Sequence, residues 1–162
     1  MSAIISNCGQ YRYRLERNTV GDGATAVIMV NPSTADATEN DATIRKLIGF
    51  GQRHRWGRLI VGNLFAYRAT DVRELGAASD PIGPDNDDHL FRILAESDQA
   101  ICAWGPLAKQ PRGQRNRFLN VLTIIERAGL DPYHIGPLTK DGQPRHPLML
   151  AYDSPVSIWS AT

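Results

Sequence analysis

Apolar residues recur along this chain in two rhythms, one at every second position and one at every third or fourth, and segments of the two kinds alternate. Tyr11, Tyr13 and Leu15 are separated by Arg12, Arg14 and Glu16, the two-residue period of a strand with one buried face. Gly21-Asp22-Gly23 predicts a turn. Thr25–Val30 is apolar nearly throughout, as expected of a strand covered on both faces. Thr38-Glu39-Asn40-Asp41 resembles a capping box with a shorter acid, and Ile44, Leu47, Ile48 and Gly51 follow at helical spacing. Arg58–Phe65 predicts a second buried strand. Tyr67–Pro84, rich in Asp, Gly, Pro and Ala, predicts a long connector with short helical turns.

The pattern then repeats. Asp85 precedes a helix with Leu90, Ile93 and Leu94 on one face, and Gln99–Trp104 predicts a third buried strand. Phe118, Val121, Leu122 and Ile125 stand at helical spacing before Gly129, a residue suited to the left-handed end of a helix. Tyr133–Ile135 is a short fourth strand. Strands alternating with helices predict one domain over residues 1–162, a three-layer α/β/α sandwich with a mostly parallel central sheet of about four strands. No repeat or phosphate-binding P-loop occurs. Gly21–Ala26 loosely matches a dinucleotide fingerprint but precedes its strand instead of following it, so it reads as a hairpin turn.

Composition narrows the function classes. Hydrophobic residues make up 42% and charged residues 22%, a globular balance, and no apolar run approaches the roughly 20 residues of a membrane helix. The opening Met1–Cys8 lacks the basic start and apolar core of a signal peptide, so a cytoplasmic protein without membrane partners is expected. Cys8 and Cys102 are far apart, and His54, His89, His134 and His146 are scattered, which predicts no metal and no cofactor. Net charge is only +1, but Lys109–Arg117 holds four cations and no acid, whereas acids dominate Asp80–Asp98.

In a sheet of this kind ligands gather beyond the carboxyl ends of the strands. Three of those ends read Asn31-Pro32-Ser33, Asn63-Leu64-Phe65 and Trp104-Gly105-Pro106. Together they resemble the uracil-DNA glycosylase superfamily. Met29-Val30-Asn31-Pro32-Ser33 stands where the mismatch-specific branch carries Gly-x-Asn-Pro-Gly, and Ile60–Phe65 resembles the strand whose asparagine reads an extruded base. Ile101-Cys102-Ala103-Trp104-Gly105, followed by Ala108, is similar to the third strand, and Arg145-His146-Pro147-Leu148 to the second active-site motif, His-Pro-Ser-Pro-Leu. The likeness spans about residues 25–150. No aspartate precedes the proline of the first motif, and the last lacks its serine and second proline, so efficient uracil removal is not implied. At whole-chain level the chain resembles the family called domain of unknown function 1643, through its Asn-Pro-Ser-Thr opening, Asn-Leu-Phe-Ala-Tyr-Arg centre and Thr-Lys-Asp-Gly-x-Pro-Arg-His-Pro close.

The resemblance implies hydrolysis of an N-glycosidic bond to a damaged or modified base, in DNA or in a nucleotide. Such a site needs a donor for the base anion and a positioned water or negative charge near the sugar. His146 is the candidate donor, Asn31 the candidate water holder, and Asp36 or Asp41 the candidate negative charge. Asn63 offers both a donor and an acceptor to a base edge, with Ser33 beside it and Phe65 or Tyr67 as stacking surfaces. Arg68, Arg112, Arg115 and Arg145 are candidate phosphate contacts. Each has a structural competitor: Asn31, Asp36 and Asp41 suit turns and helix starts, and Phe65 and Tyr67 suit a core. Leu148 or Met149 could wedge into a duplex or join the core. A binding module with the same base pocket and no hydrolysis is the alternative reading, and an interaction protein using its segregated charged faces a third.

Overall fold

The computed structural model describes residues 1–33 and 35–161. Its strands are β1 (Ser2–Ile5), β2 (Arg12–Asn18), β3 (Ala24–Met29), β4 (Arg58–Asn63), β5 (Gln99–Cys102), β6 (Pro132–Ile135) and β7 (Val156–Ile158). All seven belong to one sheet, in the order β1-β2-β4-β3-β5-β6-β7. The expectation of about four, mostly parallel strands is therefore corrected to a mixed sheet of seven. β4, β3, β5 and β6 pair in parallel, while the pairs β1–β2, β2–β4 and β6–β7 are antiparallel. The edge strands β1 and β7 are short and mostly exposed or half-buried. Without a buried apolar run they leave no periodic signal, and pairing with a neighbour makes them strands.

Among the described residues four α-helices accompany the sheet: α1 (Ala42–His54), α2 (Val72–Ala77), α3 (Asn86–Ala95) and α4 (Arg117–Arg127). The alternation of β3 sorts its side chains between two cores. Val27 and Met29 join Ile44, Leu47 and Phe50 of α1, whereas Ala26 and Ile28 join Leu90, Ile93 and Leu94 of α3 and Val121, Ile124 and Ile125 of α4. Helices thus cover both faces, and each fully buried Leu or Ile contributes about 1.5–3 kcal/mol. Gly62 permits the close approach of α3: a Cβ there would lie 2.7 Å from Leu90 Cδ2.

Helix α1 starts later than the capping-box reading implied. Its N-cap is Asp41, whose Oδ1 accepts the Ile44 N–H at 2.9 Å. The carboxylate of Asp36 instead accepts the backbone N–H groups of Thr38 and Glu39, making a turn before the helix. The connector contains α2, whose N-cap Asp71 accepts from the Arg73 and Glu74 N–H groups.

β2 departs from the two-residue alternation in a way that shapes the site. Ile4 pairs with Arg14 and Ile5 with Arg12, so Tyr13 is an extra residue, a β-bulge that reverses the facing of the strand beyond it. Leu15 packs in the α1-side core, but Tyr13 stacks on His89 of α3 at 4.7 Å, and Arg12 reaches the carbonyl of Ala35 before α1. Both Arg12 and Tyr13 are buried, at 3% exposure each. Among the described residues no helix is long and apolar enough to cross a membrane.

Candidate functional site

The carboxyl ends of β3, β4 and β5 open into a cavity of about 550 Å³. Asn31 and Ser33 follow β3, Asn63 ends β4, Trp104 and Gly105 follow β5, and the start of α1 contributes Asp41 and Thr43. His146 and Leu148 line the same space, carried there by a segment tied to the end of β5. Trp104 Nε1–H donates to Gln143 Oε1 at 2.9 Å, and the Gly105 N–H to the Pro144 carbonyl at 2.9 Å. Gly105 holds φ at +81°, a left-handed turn that glycine adopts without steric penalty. The Leu107 N–H donates to Asp141 at 2.9 Å, anchoring the turn from which the segment departs.

Asn63 is 2% exposed, yet neither its Nδ2 nor its Oδ1 has a hydrogen-bond partner among the described residues. Leaving a buried donor or acceptor unmatched costs about 1–3 kcal/mol per group. The strand end that carries it is held firmly: Asn86 Nδ2 donates to the carbonyls of Asn63 and Leu64 at 3.0 and 3.2 Å, and Arg117 Nε donates to that of Leu64 at 3.0 Å. A rigidly held amide with both functions unused suits an external donor–acceptor pair, such as the edge of a heterocycle.

Asn31 is fixed differently. Its Nδ2 donates to the Ala69 carbonyl at 2.8 Å and to that of Pro32 at 3.1 Å, which sets the amide orientation and leaves Oδ1 as the acceptor. Ser33 Oγ–H donates to Asp41 Oδ2 at 2.9 Å, so that carboxylate bridges the loop and the helix start. His146 Nδ1 accepts the Leu148 N–H at 3.3 Å. In a neutral ring that bond puts the proton on Nε2. Burial holds the His146 pKa below its ordinary value, opposed by attraction to Asp41 and assisted by Lys109. At neutral pH the side chain is therefore an uncharged Nε2–H donor.

Other expected site residues lie elsewhere. Asp36 is half-buried and outside the cavity, its carboxylate occupied by the Thr38–Glu39 turn, and those backbone donors lower its pKa. Phe65 is fully buried in the α3-side core, which removes it as a stacking surface for a base. Arg68 is half-buried, and Arg112, Arg115 and Arg145 are exposed; none lines the cavity. The cationic run from Lys109 to Arg117 is divided, since Lys109 borders the cavity while Arg117, 3% exposed, pairs with Asp87. Met149 is 91% exposed, whereas Leu148 lines the cavity.

Periodicity hid one lining residue altogether. Arg12 occupies a polar position of the β2 alternation, but the bulge turns it inward to the cavity; no local signal announces an extra residue that exists only through pairing with β1. Asp71 and Thr70 also line the cavity, and their connector sequence gives no indication of this. Among the described residues no group of three or more His, Cys, Asp or Glu side chains could hold a metal ion.

No curated protein and no solved structure matches the chain. The family described as "protein of unknown function (DUF1643)" matches residues 12–148, a span whose first and last residues, Arg12 and Leu148, are also the outermost residues in sequence to line the cavity. The chain belongs to that family.

Proposed function

We propose that the protein hydrolyses an N-glycosidic bond to a damaged or modified base in DNA or a nucleotide. The observation that supports this reading best is the meeting of Asn31, Asn63 and His146 around one cavity at the strand ends. In the reaction, water forms a bond to the anomeric carbon and loses a proton. The carbon–nitrogen bond breaks with its electron pair on the base, which finally takes up a proton. Neutral His146 donates through Nε2–H to the base oxygen on which charge develops. Asn31 Oδ1 orients the attacking water, and the Asn63 amide reads the base edge. A uracil-DNA glycosylase-like fold and a cytoplasmic location belong to the same proposal.

The test is incubation with a panel of modified-base oligonucleotides and nucleotides, followed by detection of free base. Release that is lost in His146→Ala and Asn31→Ala supports the assignment. Inactivity of the unaltered protein across the panel overturns it. One observation favours a binding module without hydrolysis: Asp41 and Asp71, carboxylates lining the cavity, both serve as helix caps, which commits each to backbone donors. That reading predicts saturable, Asn63-dependent binding with the ligand recovered intact after long incubation.

A further inference from the structure

Building on the reading of the cavity as a base pocket, we propose that its ligand is a free nucleoside monophosphate and that Arg12 recognises the phosphate. Arg12 is 3% exposed and lines the cavity. Among the described residues its side chain makes a single hydrogen bond, from Nη1 to the Ala35 carbonyl, and Nε has no partner. None of the ion pairs among the described residues includes it. Asp41 and, more weakly, Asp36 attract it from a distance, while Arg68 and Arg17 repel it, and both Asp41 oxygens and Asp36 Oδ1 already accept hydrogen bonds.

Burial lowers the Arg12 pKa to about 10, so the guanidinium stays protonated near pH 7. A buried cation without a contact anion is costly, because the charge loses its hydration with nothing to replace it. A phosphate supplies the missing charge together with oxygens that match the planar fork of a guanidinium. Lys109, exposed at the cavity, adds a second positive charge at the entrance.

The depth of Arg12 selects the form of phosphate. A terminal phosphomonoester can enter a cavity bodily, whereas a phosphodiester continues as chain on both sides and must remain near the mouth. A polymer would also draw its affinity from many phosphate contacts along the surface, and a net charge of +1 is too low for strong salt-dependent DNA affinity.

Calorimetric titration distinguishes the cases. The probes are the four deoxynucleoside monophosphates, deoxyuridine monophosphate, the matching nucleosides, a single-stranded oligonucleotide and inorganic phosphate. At least one monophosphate should bind tenfold or more tighter than its nucleoside and tighter than the oligonucleotide, with inorganic phosphate competing. Arg12→Gln should abolish that preference while nucleoside affinity persists, Arg12→Lys should restore part of it, and Arg145→Gln should leave it unchanged. Equal binding of nucleoside and monophosphate, tighter binding of the oligonucleotide, or no binding by any monophosphate overturns the proposal, and these readings need only the unaltered protein should Arg12→Gln fail to fold. Equal loss of nucleoside and monophosphate affinity in a folded Arg12→Gln reveals a scaffolding role and also overturns it. Phosphate-dependent binding without base release contradicts hydrolysis alone.

Discussion

Arg12 and Arg17 stand at opposite ends of β2 and are almost equally buried, at 3% and 1% exposure, but they use their donors differently. Arg17 gives Nε to Asn40, Nη1 to the Glu16 carbonyl and Nη2 to the carbonyls of Asp36 and Glu39; it fastens the loop that leads into α1. Among the described residues Arg12 makes one such bond, and it lies beside a cavity. The contrast recurs nearby: Asn86 Nδ2 clasps two carbonyls, while among the described residues neither amide atom of Asn63 has a hydrogen-bond partner. Burial alone does not mark a functional polar group. Hydrogen-bonding capacity left unused next to a cavity does, because folding gains nothing from keeping it.

The strongest challenge to this contrast is His146→Ala. Removing its donor should lower base release by about 10²–10³-fold, the usual effect of deleting one stabilising donor, with a stability change under about 1 kcal/mol. Steady-state kinetics beside urea unfolding would measure both; equal losses of activity and stability would erase the distinction.

Next is Arg17→Met. Loss of its loop-fastening bonds should cost about 3 kcal/mol, given about 1.5–3 kcal/mol for hydrogen bonds to a charged group and incomplete additivity. Unfolding in urea should show a loss clearly larger than that of Arg12→Met. If the two are equal, the arginines share one structural role.

Asn63→Leu tests the unmatched amide directly. An apolar side chain of similar size removes two unmatched polar groups, so stability should rise by about 1 kcal/mol while ligand binding disappears. Thermal melting and titration calorimetry report the two effects; a destabilised variant would mean that the amide has a partner in the folded protein.

The smallest effect concerns pH. Burial depresses the pKa of His146, and likewise those of His54, His89 and His134. The unfolded chain then binds more protons than the folded one between the depressed values and the ordinary value of about 6.5, so stability falls as pH drops through that window. Activity should remain on a plateau at and above pH 6.5 and decline only at lower pH, as His146 becomes charged. An acid limb unchanged in a variant lacking the other three histidines assigns it to His146; a limb that vanishes assigns it elsewhere.

Much of this molecule could be read locally. The uninterrupted apolar runs of β3 and β4 and the helical spacing of α1, α3 and α4 are each set by a few consecutive residues, because burial of a strand or helix face imposes its period directly on the sequence. The same runs show where strands stop, which marks Asn31 and Asn63. A short motif marks His146, with no local pattern to say what it faces.

Other features exist only through pairing and packing. The bulge at Tyr13 depends on how β2 registers with β1, and it turns a residue that reads as outward, Arg12, into a buried one. Phe65 reads as a ligand contact but is enclosed in the core with α3 and α4, and Arg117 reads as surface charge but is buried at the start of α4, bonded to the Leu64 carbonyl and Asp87; Asp36 closes a turn while Asp41 takes the helix start. The alternation of strands and helices, and the polar residues at the strand ends, are written in consecutive residues, because both follow from the period of burial. Which of those polar groups are matched inside the protein and which face a cavity is settled by folding, since a hydrogen-bond partner is a neighbour in space and not in the chain.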